Sequence, residues 1–600
     1  MFNFSALCAI APTPRAIQTL QPLCAKHNIT LFVPSDLDKF TGVTPYTEKL
    51  SQHLETIWSQ YQGIIFVMAT GAVVRLISPL LQDKHSDPAI LAMDEGGKNV
   101  ISLCGGHQGG AEKLSRLLAQ ELGGNAILTG ASASLDFVGI DVIGQPFGWR
   151  KGSGDWTGVS RTIAHQKPVR IIQKVGSTLW RNSLPDNHPF QFEGEDAAAE
   201  VLMTDERETL DKPIPQVLWH PRVLWIGIGC ERGTAQAVIE EAVQRTLEQY
   251  NLTASAIAGL ATIDIKADET GLLAFAAAEN YPLQTYSATD LNQISVPNPS
   301  AIVAQEVGTA SVAEAAALTA ANAEELIVPK QIFKSDQGAV TVAVARSRTE
   351  NTGRTGQLYL IGTGPGDIQQ IPPAARSALT QADVIIGYSL YLDLITPLKR
   401  PGQIIESYAI TEEKKRADRA IDLAQWGLTV AVVSSGDIGI YGMAGLVFES
   451  LAHQNWDGKT PTVEVFPGLT AMQAAAAKVG APLMHDFCAV SLSDLLTPWE
   501  VIEKRLNAAA QGDFITALYN PRSRTRTEQI KIAQKIFLDH RSPNTPVALA
   551  RSVSREDETI ILTTLQEMLD HPIDMLTVVL IGNSTTREYQ GWMITPRGYQ

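Results

Sequence analysis

Short apolar runs recur along this chain, separated by longer stretches whose apolar residues fall at helical spacing. The runs include GIIFVMA (63–69), VLWIGIG (223–229), DVIIGY (383–388), TVAVVSSG (429–436) and DMLTVVLIGN (574–583). Runs of this length, ending in glycine or small polar residues, predict strands buried on both faces. GGAEKLSRLLAQELG (109–123) and GTAQAVIEEAVQRTLEQY (233–250) predict amphipathic helices. Regular strand–helix alternation predicts α/β architecture with largely parallel sheets. At 600 residues the chain exceeds what one hydrophobic core supports, so it is multidomain.

Breaks in the pattern suggest where the domains divide. Residues 145–220 lose the alternation, are rich in Trp, Gly and Pro, and contain the polar stretch SLPDNHPFQFEGED (183–196). A fresh strand–glycine–helix unit opens at 221. RSRTENTGRTGQ (346–357) has no large apolar residue and reads as a linker. The expected organisation is an α/β domain over 1–145, an irregular middle region over 146–220, a second α/β domain over 221–347, a linker over 348–357, and two lobes over 358–466 and 467–600.

Composition narrows the function. A formal net charge of −15 and a pI near 5.3 disfavour nucleic-acid binding. The five cysteines (Cys8, Cys24, Cys104, Cys230, Cys488) form no CxxC pair, so neither a zinc module nor a disulfide framework is expected, and no metal site is assigned. The first basic residue is Arg15, which leaves the N-terminus without the charged region of a signal peptide. No window approaches 18 uninterrupted apolar residues, so no membrane span is expected. A cytoplasmic protein is the simplest reading.

The stretch LYLIGTGPGD (358–367) runs a strand into Gly362, Gly364 and Gly366. A dinucleotide fingerprint needs G-x-G-x-x-G. Here the spacing is G-x-G-x-G, Asp367 stands where the third glycine should be, and Pro372-Pro373 delay the helix. More strand ends with glycine or polar loops follow: VVSSGDIGIYGMAG (432–445), VEVFPGLTAMQAAAAKVG (463–480), FITALYNPRSRTR (514–526) and VVLIGNST (578–585). Carboxyl ends of parallel strands are where α/β sheets bind ligands, and glycine lets backbone approach them closely.

Together with SLSDLLTPW and RSVSREDE, these motifs resemble the tetrapyrrole methylases, two-lobed enzymes that use S-adenosylmethionine. GDIGIYGMAG, LYNPRSRTR and GNSTTR are similar to the precorrin-3B C17-methyltransferase branch, over about 356–590. One departure is Ile438, where a proline is usual. The resemblance implies a corrinoid substrate, with or without cobalt, a homodimer formed through this half, and a cofactor site. In that site Gly364 and Pro365 line the cleft. Ser435, Gly436, Asp437 and Ile440 approach the amino-acid part of the cofactor, with Tyr441 beside them. Thr470 and Ala471 approach the methionine and ribose, and Leu518 and Tyr519 the adenine. Plainer readings stand beside these. Asp437 could cap its own loop, and Tyr441 could be a core aromatic. Arg522, Arg524 and Arg526 are either a solvated face or bidentate partners of substrate carboxylates. His485 divides between surface and substrate.

In the first 345 residues, Gly105, Gly106, Gly109 and Gly110 flank His107 ahead of a helix, either an anion-binding start or a loop. GIGCERGT (227–234) repeats the logic around Cys230, a reactive thiol or a small packed residue. These stretches, with ATGAVVR, DEGGKNVISLCGGHQGGAEKL, ASAIAGLATIDIKADETGLLAFA and TVAVARS, resemble the cobalt-precorrin-5A hydrolases, which open a δ-lactone and release acetaldehyde. That resemblance makes Asp94, Glu95, His107 and Glu231 candidate general bases, and Lys266 a candidate partner for a substrate carboxylate. The full expectation is a chain of α/β hydrolase-type modules followed by a two-lobed methylase, acting at two steps of cobalamin biosynthesis. The alternative is an RNA or diphthamide methylase of the same fold behind a non-catalytic corrinoid-binding scaffold.

Overall fold

The computed structural model describes residues 6–83, 86–106, 109–129, 139–194 and 196–598. They divide into two compact units. One comprises residues up to 356 with 400–405 and 423–429; the other comprises 357–399, 406–422 and 430–600.

The first unit carries three sheets. Seven strands form the first, in the order Thr44–Tyr46, Thr30–Pro34, Leu7–Ile10, Gly63–Val67, Ala89–Met93, Asn99–Cys104 and Asn125–Ile127. The first five run parallel, and Asn99–Cys104 turns antiparallel to Ala89–Met93. All five residues of Gly63–Val67 are buried, as the continuous apolar run requires. Helix Pro14–His27 covers one face; the Thr13 hydroxyl accepts the Ala16 N–H at its start, and Asn28 closes it in a left-handed conformation.

The third sheet orders Leu283–Tyr286, Ile257–Ile263, Leu224–Cys230, Gly338–Arg346 and Leu326–Ser335, three parallel strands joined to an antiparallel hairpin. The alanine-rich helix Val312–Ala321 lies directly on it: a Cβ at Gly227 would sit 1.8 Å from the Ala313 carbonyl oxygen.

One sequence expectation fails here. Residues 146–220 are not irregular; they hold a five-stranded sheet in the order Phe190–Gln191, Val169–Gln173, Ala199–Met203, Gln216–His220 and Arg150–Gly154. Its strands are short, and buried polar side chains break their apolar pattern. Glu200 is buried and accepts from Gln216 Nε2 (2.8 Å) and Lys212 Nζ (2.6 Å). The division between the two units falls at 356/357, inside the stretch read as a linker, and that stretch is packed rather than solvated. Glu350 is 2% exposed and accepts from Trp149 Nε1 and from the Ser177 N–H, both at 2.6 Å. Asn351 Nδ2 donates to the Ala258 carbonyl (2.7 Å), and Arg354 Nη2 to that of Pro146 (2.8 Å). The stretch is polar because its side chains satisfy buried partners.

Two further five-stranded sheets are built mainly from residues of the second unit. One orders Ile404–Tyr408, Val384–Tyr388, Thr429–Ser434, Gln357–Gly362 and Thr462–Phe466. The other orders Phe487–Ser491, Ile515–Tyr519, Thr577–Ile581, Pro546–Arg551 and Thr559–Thr564. Only the Phe487–Ser491 pairing with Ile515–Tyr519 in this second sheet is parallel; the other neighbouring strands pair antiparallel. No helix among the described residues is long and apolar enough to cross a membrane.

Candidate functional site

Three loops of the second unit meet backbone to backbone. The Gly364 N–H donates to the Gly436 carbonyl (3.1 Å), and the Gly436 N–H returns the bond to Gly364 (2.7 Å). A Cβ on Gly468 would lie 2.1 Å from the Gly436 carbonyl oxygen; one on Gly362 would lie 2.7 Å from the same atom. Side chains are excluded from this junction, and the loops 362–366, 435–441 and 467–471 are held at backbone-contact distance.

Asp437 fixes that spacing. One carboxylate oxygen accepts the Gly439 N–H (2.8 Å) and the other accepts the Gly468 N–H (3.0 Å). Ile438 is fully buried and plugs the loop. Ile440 and Tyr441 point outward at 40% and 54% exposure, and Tyr441 holds φ +54° while its hydroxyl donates to the Ala489 carbonyl (3.1 Å). Tyr519, with its ring 5.1 Å from that of Tyr441, anchors the start of helix Ala471–Val479. Its hydroxyl accepts the Met472 N–H (3.0 Å) and lies 2.5 Å from the Thr470 hydroxyl. Burial pushes that phenol upward against the opposing pull of these two bonds, so it stays neutral. Thr470 and Leu518 are buried, Leu518 completely; Ala471 and Ser435 are half-buried.

Sequence reasoning missed Arg555. Its Nε donates to the Pro365 carbonyl (3.1 Å), and its Nη2 lies 3.3 Å from the Ser435 hydroxyl. It thereby ties the second sheet's RSVSRE segment to two of the three loops. A Cβ on Gly366 (φ +146°) would meet the Arg555 side chain at 2.7 Å. An arginine pairing across 190 positions leaves no local signal in the sequence.

The other basic candidates separate. Arg526 is built into the loop, with Nη2 donating to the Asn520 carbonyl (2.8 Å). Arg522, Arg524 and His485 are exposed. No group of His, Cys, Asp or Glu among the described residues could hold a metal ion.

In the first unit the described candidate bases lie on two different sheets. Asp94 and Glu95 sit in the turn between Ala89–Met93 and Asn99–Cys104. The Asp94 carboxylate accepts the N–H groups of Asn99 (2.6 Å), Gly96 (3.1 Å) and Lys98 (3.3 Å). Partial burial pushes its pKa up, but these bonds outweigh it and hold the group below the usual carboxylate range. Glu95 accepts from the Thr13 hydroxyl (2.6 Å). Glu231 lies on another sheet, where its carboxylate accepts the Ala339 N–H (3.1 Å) and its own N–H donates to the Ala339 carbonyl (3.0 Å). His107 lies outside the described residues. Lys266 approaches Glu269, with Nζ 3.3 Å from Oε2. Burial pushes the nearby Cys230 thiol up.

Four family descriptions match the chain in succession: Cobalamin synthesis G N-terminal over 52–133, Cobalamin biosynthesis central region over 138–221, Cobalamin synthesis G C-terminus over 224–345, and Tetrapyrrole (Corrin/Porphyrin) Methylases over 357–569. The chain belongs to the tetrapyrrole methylases through its second half and to the cobalamin synthesis G family through its first. Within those classes, residues of the second half are 53% identical over 246 positions to the "Cobalt-factor III methyltransferase" of Priestia megaterium, a match covering 41% of this chain and 45% of that protein. They are 47% identical to the "Probable cobalt-factor III C(17)-methyltransferase" of Salmonella typhimurium, covering 40% of this chain and 99% of that protein. The first half is 34% identical over 304 positions to the "Cobalt-precorrin-5A hydrolase" of Priestia megaterium, covering 49% of this chain and 80% of the relative.

Proposed function

We propose that this chain is a bifunctional enzyme of cobalamin biosynthesis. Its second half methylates C17 of cobalt-factor III or precorrin-3B, with ring contraction to the corresponding precorrin-4. Its first half hydrolyses the cobalt-precorrin-5A lactone and releases acetaldehyde. The observation that carries this reading is the backbone junction of Gly362, Gly364, Gly436 and Gly468, in a half 53% identical to a cobalt-factor III methyltransferase.

S-Adenosylmethionine, when bound, supplies an electrophilic methyl group on a sulfonium. The chain fits such a group. The space a Cβ on Gly436 would enter has its nearest atoms, Ala471 N and Thr470 Cα, at 3.8 Å, so backbone rather than side chain lines the cradle. Gly364, Pro365, Ser435, Gly436, Asp437, Ile440, Tyr441, Thr470, Ala471, Leu518 and Tyr519 would hold it. Asp437 sets the distance between loops, and the Tyr519 hydroxyl fixes the helix start. Arg555 keeps the Pro365 loop against Ser435. Methyl transfer is an in-line displacement whose acceleration can come largely from positioning, which this arrangement of backbone-lined loops provides. Arg522 and Arg524 are exposed cations available to substrate carboxylates.

The enzyme works in the cytoplasm on a corrinoid substrate, as a homodimer paired through the methylase half. To test the methylase assignment, the full chain is incubated with cobalt-factor III and methyl-labelled S-adenosylmethionine. Label at C17 of a ring-contracted product is expected; an unlabelled substrate, or label at another carbon, contradicts it.

A further inference from the structure

Two neighbouring parallel strands of the first unit, Leu224–Cys230 and Ile257–Ile263, end side by side. Carboxyl ends of such strands are the ligand side of an open sheet. After the first come Cys230, Arg232 and Gly233; after the second, Lys266 and Glu269. Glu269 is 2% exposed. Its Oε1 accepts the Gly233 N–H (2.8 Å), and its Oε2 faces Lys266 Nζ (3.3 Å) and Arg232 Nη1 (3.6 Å).

The two cations differ. Arg232 is 59% exposed and committed to Asp268 (2.5 Å) and to the Ile265 carbonyl (2.9 Å). The Lys266 side chain is 14% exposed, and among the described residues Glu269 is its one hydrogen-bond partner, which leaves two ammonium N–H donors. A largely buried Lys–Glu pair is weak evidence for stability, because desolvation offsets its attraction. Cys230 lies beside the pair. Burial raises its thiol, the Lys266 and Arg232 charges oppose the rise and Glu269 adds to it; the net result is a neutral thiol and a poor nucleophile.

We propose that this strand-end pair is the hydrolytic centre of the first half, with the Lys266 ammonium meeting the carbonyl oxygen of a cyclic ester and Glu269 positioning Lys266. The proposal rests on the hydrolase reading above. Water oxygen bonds to the carbonyl carbon, and the C=O pair moves onto oxygen, where Lys266 holds it. When the carbonyl reforms, the ring C–O bond breaks with its pair on the departing oxygen. That oxygen takes the proton that water gave up. Only water is consumed, and opening the ring gives a carboxyl group and an alcohol. The alcohol then leaves as acetaldehyde: its O–H proton departs, the C=O forms, the C–C bond to the macrocycle breaks with its pair on the macrocycle carbon, and that carbon takes a proton.

The test uses the full chain with enzymatically prepared cobalt-precorrin-5A, following acetaldehyde with alcohol dehydrogenase and NADH. Methyl transfer by the second half serves as the internal control for folding. Lys266→Met is expected to lower kcat for acetaldehyde release by about 10²–10³-fold, the cost of removing one oxyanion donor, with methyl transfer unchanged. Lys266→Ala should regain part of its rate on adding ethylammonium, a rescue that a purely structural lysine would not show. Glu269→Gln should lower kcat while leaving KM within about threefold. Lys266→Met releasing acetaldehyde at a near-normal rate overturns the proposal but not the hydrolase reading. A wild-type chain releasing none overturns both. If Lys266→Met does not fold, Lys266→Leu, which likewise carries no donor, decides by the same kcat.

Discussion

Gly468→Ala is the most pointed perturbation of the methylase site. The added Cβ would lie 2.1 Å from the Gly436 carbonyl oxygen and 2.7 Å from the carbonyl carbon and oxygen of Gly362. Every one of these atoms is backbone, so no rotamer change can relieve the overlap. Ordinary contact begins near 3.4 Å, so the 467–471 loop must retreat by about 1.3 Å. That movement also stretches the 3.0 Å bond from the Gly468 N–H to Asp437. Overpacking of this kind costs about 1–3 kcal/mol of stability, and a misplacement on the order of 1 Å can cost about 100-fold in rate. Initial rates of methyl transfer, calorimetric binding of S-adenosylhomocysteine and thermal unfolding read the three effects separately. Gly445→Ala is the matched control, because it lies on helix Ala444–His453 with nothing within 4 Å of its Cβ. It should keep the wild-type rate and gain up to about 1 kcal/mol. If Gly468→Ala binds S-adenosylhomocysteine as wild type does and methylates within about threefold, the three-loop junction is not the cofactor cradle.

Further predictions follow from single contacts. Arg555→Ala removes the bonds to Pro365 and Ser435 and should lower methyl transfer about 10–100-fold, with partial recovery in Arg555→Lys; equal rates in all three would remove Arg555 from the site. Tyr519→Phe leaves the Met472 N–H and Thr470 hydroxyl without their shared partner and should cost about 1–3 kcal/mol in thermal or denaturant unfolding; a change under about 0.5 kcal/mol contradicts the anchoring role. Burial raises the Glu350 pKa above its ordinary value. Its contribution to stability is therefore fully present below the unfolded carboxylate pKa and is lost as pH rises through the folded one. Glu350→Gln should gain melting temperature relative to wild type from pH 4 to pH 7, and a gap that does not grow over that range refutes the assignment.

What the sequence reveals follows from how local each interaction is. Runs buried on both faces announced themselves: GIIFVMA became Gly63–Val67, and DVIIGY became Val384–Tyr388. Glycine loops at strand ends were visible too, because a missing side chain is written in the sequence. The middle sheet was not, since Glu200, Gln216 and Lys212 satisfy one another across strands, and polar residues inside a strand look like loop. The stretch 348–357 hides its packing for the same reason: Glu350 and Asn351 are polar for partners inside the fold. Side chains that serve backbone groups were equally hidden. Nothing in DEGGKN shows that Asp94 gathers three N–H groups, and nothing in GCERG shows that Glu231 is held by Ala339. Arg555 and the Tyr519 hydroxyl act on segments far away in the chain, and only the folded geometry reveals them.

The central claim is that one chain carries two separated steps, with one outside methylation between them. The direct measurement is acetaldehyde release from the full chain supplied with cobalt-factor III and S-adenosylmethionine, with and without a C11-methyltransferase. The chain alone should give a methylated, ring-contracted product but no acetaldehyde, and adding the C11-methyltransferase should start acetaldehyde release. No acetaldehyde under either condition, or release that persists when residues 1–345 are deleted from a chain that still methylates, would contradict it.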